Sequence, residues 1–213
     1  MSLRPAKSLN EVLLPIGLAA GMWFFLFSPT TKGLVHFWFG MTIAAGSLAA
    51  IGFWLNRDIN RILFRLEPHH IIAGILSAIL LYVIFYSGEL LASRLFDFAK
   101  PQVAAVYDTR SQASAWTIGI LLFFWIGPAE EIFWRGYIQR RLSDRLGAGR
   151  GFFTAALIYA LVHIWALNAM LFLAAGLSGL FWGAMFWRYK SIWPGLISHS
   201  LWDVAVFVLW PIN

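Results

Sequence analysis

Seven stretches of this chain are apolar for long enough to cross a lipid bilayer as helices. That pattern constrains the fold more than any single residue does. A hydrocarbon core of about 30 Å needs about 20 apolar residues in a helix. The stretches run near Val12–Ser28, Leu34–Leu55, Ile71–Phe96, Trp116–Leu142, Phe152–Leu167, Met170–Trp187 and Ile192–Trp210. Composition agrees, with 60% of residues apolar and only 12% charged, against roughly 45–50% and about 25% in soluble domains. A soluble domain would leave much of that surface facing water. The expected architecture is an all-α membrane protein, a polytopic helical bundle of about seven transmembrane helices. It forms a single integral-membrane domain over residues 1–213. The absence of cysteine excludes disulfides, thiolate metal sites and cysteine nucleophiles.

The first stretch follows Arg4 and Lys7 and so has the charged start of a signal peptide. It is long and lacks a small-x-small cleavage site, so it reads as a retained span. Arginine and lysine cluster in alternate connections: Arg57, Arg61 and Arg65; Arg140, Arg141, Arg145 and Arg150; Arg188 and Lys190. The intervening connections hold only Lys32, Arg94, Lys100 and Arg110. The positive-inside rule then puts the N-terminus in the cytoplasm and the C-terminus outside, with the cell (inner) membrane as the expected location. Net charge of +6 is thereby explained by topology, and no nucleic-acid partner is expected. Trp54, Trp116, Trp187, Trp193 and Trp210 fall near span ends, where an aromatic belt belongs. Arg57, Arg61 and Arg65 are four apart, which suits either an extra interfacial amphipathic helix or a basic loop that serves topology alone.

The few charges inside the spans carry the functional signal. A charge at the bilayer centre costs at least about 2.5–3.5 kcal/mol. The set is Glu89, Glu130, Glu131, Arg135, His163, His199 and Asp203. Glu89 sits near the outer end of its span and reads as interfacial or structurally paired, with Arg94 nearby. Glu130 and Glu131 follow Gly127-Pro128-Ala129, where proline is expected to break or kink the fourth span and point a helix N-terminus at the two carboxylates. Glu131 and Arg135 are four apart, acid first, the better order for a helical ion pair. Glu130 is rotated about 100° from Glu131 and faces elsewhere. His199 and Asp203 are also four apart and share a helix face. At about 1.5 Å per residue, counting from the arginine-rich ends places these groups at similar depth on three helices. The motif-bearing core is therefore residues 116–213. Ala175, Gly179 and Gly183 add a small-x-x-x-small face for close helix packing. His36, His69 and His70 lie near span ends and carry no signal.

Two chemistries suit glutamate, histidine and aspartate without cysteine. Glu130 can act as general base on water, helped by His163, with His199 and Asp203 orienting the scissile carbonyl or stabilising its oxyanion. Alternatively Glu130, His163, His199 and Asp203 hold a divalent metal such as zinc, with water in the open position. Both describe amide hydrolysis.

Three ordered motifs resemble a known family at these residues: Glu130-Glu131-Ile132-Phe133-Trp134-Arg135, then Tyr159 to His163, then His199 to Asp203. They are similar to those of the CPBP intramembrane proteases, the type II CAAX prenyl endopeptidase or bacteriocin-immunity-like group. The resemblance runs from about Trp116 to Asp203. It departs at Tyr159, where the family usually has phenylalanine, and at Asp203, where the eukaryotic prenyl-protein enzymes have asparagine. It implies an intramembrane endopeptidase with Glu130 and His163 on water, Glu131 and Arg135 as a supporting pair, and His199 with Asp203 completing the site. The implied partners are the lipid bilayer and a membrane-anchored or lipidated protein or peptide. A non-proteolytic immunity or maturation factor is the alternative reading, and a small transporter a third.

Overall fold

The computed structural model describes residues 10–57 and 60–212. Arg4, Lys7, Asp58, Ile59 and Asn213 lie outside them. The described chain is a helical bundle whose only β-type pairing is an isolated bridge between Lys32 and Val35. Among the described residues, six helices are long and apolar enough to span a membrane: α1 Asn10–Phe27, α2 Phe37–Leu55, α4 Pro68–Leu95, α6 Ala115–Leu146, α7 Ala148–Ala166 and α8 Ala169–Tyr189. A shorter apolar helix, α9 Trp193–Leu209, closes the bundle. The expected helical membrane bundle is therefore present, with the seventh stretch as the shortest of the seven apolar helices. Two small helices complete the order, α3 Asn60–Leu63 and α5 Ala99–Tyr107. Ile72, Leu76, Ile79 and Val83 stand exposed along α4, as side chains that meet lipid must.

One expectation changes and two take a definite form. First, Pro128 neither breaks nor ends its span, because the backbone stays helical from Ala115 to Leu146. Instead the hydrogen-bond register widens to the π form at Leu122–Ile126 and again at Glu131–Gln139. The Gly127 N–H donates to Leu122 O, five residues back. The wider turn accommodates a ring that would otherwise clash with the carbonyl four residues before it. The span itself, being unbroken, offers no helix N-terminus of its own to the carboxylates. Second, among the described residues the basic segment after α2 has one short helix, α3, with Leu63 buried beside Phe186 and Ile192. Third, Glu89 accepts a hydrogen bond from Ser93 one turn on. Among the described residues no ion pair joins it to Arg94.

Contacts between helix ends sort the bundle into two faces. On one, Tyr137 donates to the Glu11 carbonyl and Arg141 donates to Leu55 O at 2.8 Å. This face holds Arg57, Arg140 and Arg150. On the other, Lys32 pairs with Asp108 at 3.3 Å, and Trp38 Nε1 donates to Thr109 O at 2.8 Å. The alternation of arginine along the sequence is thus a real segregation in space. Trp54, Trp116, Trp187 and Trp210 are exposed near helix ends. Trp193 is instead half-buried and donates to Phe64 O at 2.8 Å.

Small residues set the closest helix approaches. At Gly179 a Cβ would lie 3.2 Å from both Ala156 O and Tyr159 Cδ1, and at Gly183 it would lie 2.9 Å from the Phe152 ring. The small-residue face of α8 is therefore where α7 packs. Gly179→Val should destabilise the protein by about 1–3 kcal/mol, since overpacking forces backbone or rotamer shifts. A thermal melt in detergent would check this, and an unchanged midpoint would contradict the packing described.

Candidate active site

The widened turns of α6 bury eight of the nine residues from Glu131 to Gln139, sparing only Ile132. Adjacent carboxylates consequently face different surroundings. Glu130 lines a cavity of about 880 Å³. Glu131 is fully buried behind it. The one-residue rotation that separates them is as the sequence implies.

Around Glu131 the structure gathers a charged cluster. Arg135 Nη1 lies 3.0 Å from Glu131 Oε1. This contact is one of charge rather than an aligned hydrogen bond, because Nη1 finds no acceptor in line with its N–H. Arg135 Nη2 donates to Ser178 O at 3.3 Å. The guanidinium sits 4.7 Å from the Tyr159 ring centroid and 5.4 Å from that of Trp182, a sandwich in which aromatic faces support a desolvated cation. His199 brings Nδ1 within 3.0 Å of Glu131 Oε1 and Nε2 within 3.5 Å of Asp203 Oδ2. One imidazole therefore bridges two carboxylates. Trp182 stacks on that imidazole at 3.7 Å between ring centres and donates to Ser198 Oγ at 3.2 Å.

Glu131 Oε2 has no hydrogen-bond partner and faces Gly195, where a Cβ would stand 2.6 Å away. Only glycine leaves room for this carboxylate beside the first turn of α9. Gly195→Ala should displace Glu131 from His199 and cost about 1–3 kcal/mol. Melting the variant in detergent tests it, and a midpoint equal to the parent's would count against that fit.

A second group forms around Tyr159. Its hydroxyl donates to Glu130 Oε2 at 2.9 Å. Its carbonyl lies 2.8 Å from His163 Nδ1. Trp23 Nε1 donates to His163 Nε2 at 3.1 Å. Indole can only donate, so Nε2 accepts and Nδ1 carries the proton to the Tyr159 carbonyl. His163 is thus held as one neutral tautomer with both nitrogens occupied. Glu130, His163, His199 and Asp203 all line the same cavity. The depth count depends on which helix ends it starts from. Polar turns extend the helices past their apolar runs: Glu130 lies about 24 Å from the C-terminal end of α6, His163 about 22 Å from the start of α7 and His199 about 9 Å from the start of α9. The shared lining shows the convergence instead.

The four candidate metal donors do not fit a common ion as they are placed. No three of their ligand atoms lie within 4.8 Å of one another. Both nitrogens of His163 and both of His199 already face protein groups. Zinc would need its donors about 2.0–2.2 Å away.

Sequence reasoning missed Trp23, Trp182 and Gly195. Trp182 was within reach, because it lies three residues after Gly179 and so shares its helix face. Trp23 belongs to the buried stripe Val12, Pro15, Ala19 and Trp23, but a helix that is apolar all round gives no contrast to mark the stripe. Trp23→Phe should keep the packing and remove one donor, at a cost of about 0.5–1.5 kcal/mol. A detergent melt reads that loss, and no loss would mean the Trp23 bond contributes nothing.

Residues 112–205 match a family model described as Type II CAAX prenyl endopeptidase Rce1-like. The matched segment includes Glu130, Glu131, Arg135, Tyr159, His163, His199 and Asp203, and the match supports the CPBP/CAAX protease family. No curated protein matches the chain. No solved structure matches it either.

Proposed function

We propose, from the CPBP/CAAX protease family that residues 112–205 support, that this protein is a glutamate-type intramembrane endopeptidase that hydrolyses a peptide bond inside its cavity. The observation carrying this is Glu130, a carboxylate on the wall of a largely apolar cavity, oriented through one oxygen by Tyr159 at 2.9 Å. A carboxylate so placed takes a proton from water as the water oxygen attacks the peptide carbonyl. The same proton can then pass to the departing amine, so that water is divided between the two products.

His199 supplies the opposite charge. Lying between Glu131 and Asp203, its imidazole is suited to the cationic form, and a cation on the cavity wall stabilises the oxyanion of the tetrahedral intermediate. Asp203 then acts by orienting His199 rather than by donating to the oxyanion. Arg135 and Glu131 are positioning residues, because they hold His199 without lining the reaction space. His163 contributes at Nε2 once the Trp23 bond opens to water or substrate. No step runs through a metal.

The substrate is a membrane-anchored or lipidated protein or peptide, and the N-terminus lies in the cytoplasm of a cell (inner) membrane protein. Glu130→Ala and His163→Ala, assayed for cleavage of membrane proteins in the expressing cell, test the mechanism. Loss of cleavage in both is expected, and full activity in both would remove it.

A further inference from the structure

Among the described residues, the cavity reaches only one face of the bundle. Its outer lining comes from the α1–α2 connection (Lys32), the end of α4 (Phe96), α5 with the turn after it (Asp108) and the start of α8 (Met170). No described residue of the arginine-rich face, from Leu55 to His70, Arg135 to Phe152 or Trp187 to Ser198, lines it. Lysine and arginine mark the cytoplasmic side of a membrane protein. We infer that the active-site cavity opens away from the cytoplasm and takes a polypeptide segment presented at the non-cytoplasmic face of the membrane.

The inference rests on the protease reading for the substrate's nature and on the bundle's geometry for the side of entry. Charge narrows the segment further. Among the described lining residues Lys32 is the one lysine or arginine, and it is paired with Asp108 at 3.3 Å. Glu89, Glu130 and Asp203 line the same space. A segment rich in carboxylates would enter beside these acids, and the cation proposed on the wall, His199, is already held between Glu131 and Asp203. The substrate segment is therefore neutral or basic, and apolar enough to leave water for a largely apolar cavity.

The chain has no cysteine, so each introduced thiol is unique. Thr30→Cys lies in the α1–α2 connection and Arg150→Cys near the start of α7, and both positions are exposed. A membrane-impermeant maleimide added to intact cells should label Thr30→Cys, and should label Arg150→Cys only after permeabilisation. The reverse pattern overturns the direction of entry. In the same cells, protein termini lost when Glu130→Gln replaces the parent should map to the non-cytoplasmic ends of membrane spans and lie in segments poor in aspartate and glutamate. Lost termini at cytoplasmic ends would overturn the inference while sparing the protease. Unchanged termini would sink the protease reading and the substrate class with it, and the labelling would still decide which face the cavity meets.

Discussion

Glu130→Gln is expected to lose cleavage by roughly 10²- to 10⁴-fold, the usual contribution of a positioned general base, while the protein stays folded. The substitution keeps the shape of the side chain and leaves an oxygen to accept the Tyr159 hydroxyl, which sits 2.9 Å away in the parent. What disappears is the capacity to take a proton from water. Turnover of a membrane substrate in detergent or liposomes measures the first effect, and a thermal melt measures the second. The pair of readings matters, because a collapse of the fold would also abolish activity. An active Glu130→Gln protein with a parental melt would assign the proton to another group.

Arg135→Ala should have the largest effect on stability, about 3–5 kcal/mol, the range for removing one partner of a buried ion pair. Glu131 is left behind, fully buried, with one oxygen already lacking a hydrogen-bond partner. The space between Tyr159 and Trp182 also empties. Replacing both charges, as in Glu131→Gln with Arg135→Met, should cost clearly less, because no uncompensated charge remains and the methionine stem keeps part of the packing. Denaturant or thermal unfolding in a mild detergent compares the two. Equal losses would mean that the pair stabilises the site as packing rather than as charge.

The polar half of this site is legible in the sequence because charge is so scarce inside the membrane. Spacing alone joins Glu131 to Arg135 and His199 to Asp203, and turns Glu130 away from its neighbour. Three features resist that reading. The π turns around Pro128 depend on a compromise between a proline ring and the preceding carbonyls, and residue order does not encode which register wins. The tautomer of His163 depends on Trp23, 140 positions away in a helix with no polar contrast. Gly195 looks like any glycine after a proline until Glu131 Oε2 is seen beside it. The side of entry is intermediate: arginine marks one face, yet only the packed bundle shows that the cavity avoids it.

In the proposed reaction Glu130 drives hydrolysis of peptide bonds in membrane proteins. Mapping of protein termini in the membranes of cells expressing the parent or Glu130→Gln tests it most directly. A defined set of termini should be present with the parent and absent with the variant, at equal protein levels. Identical termini in the two cell lines would contradict it.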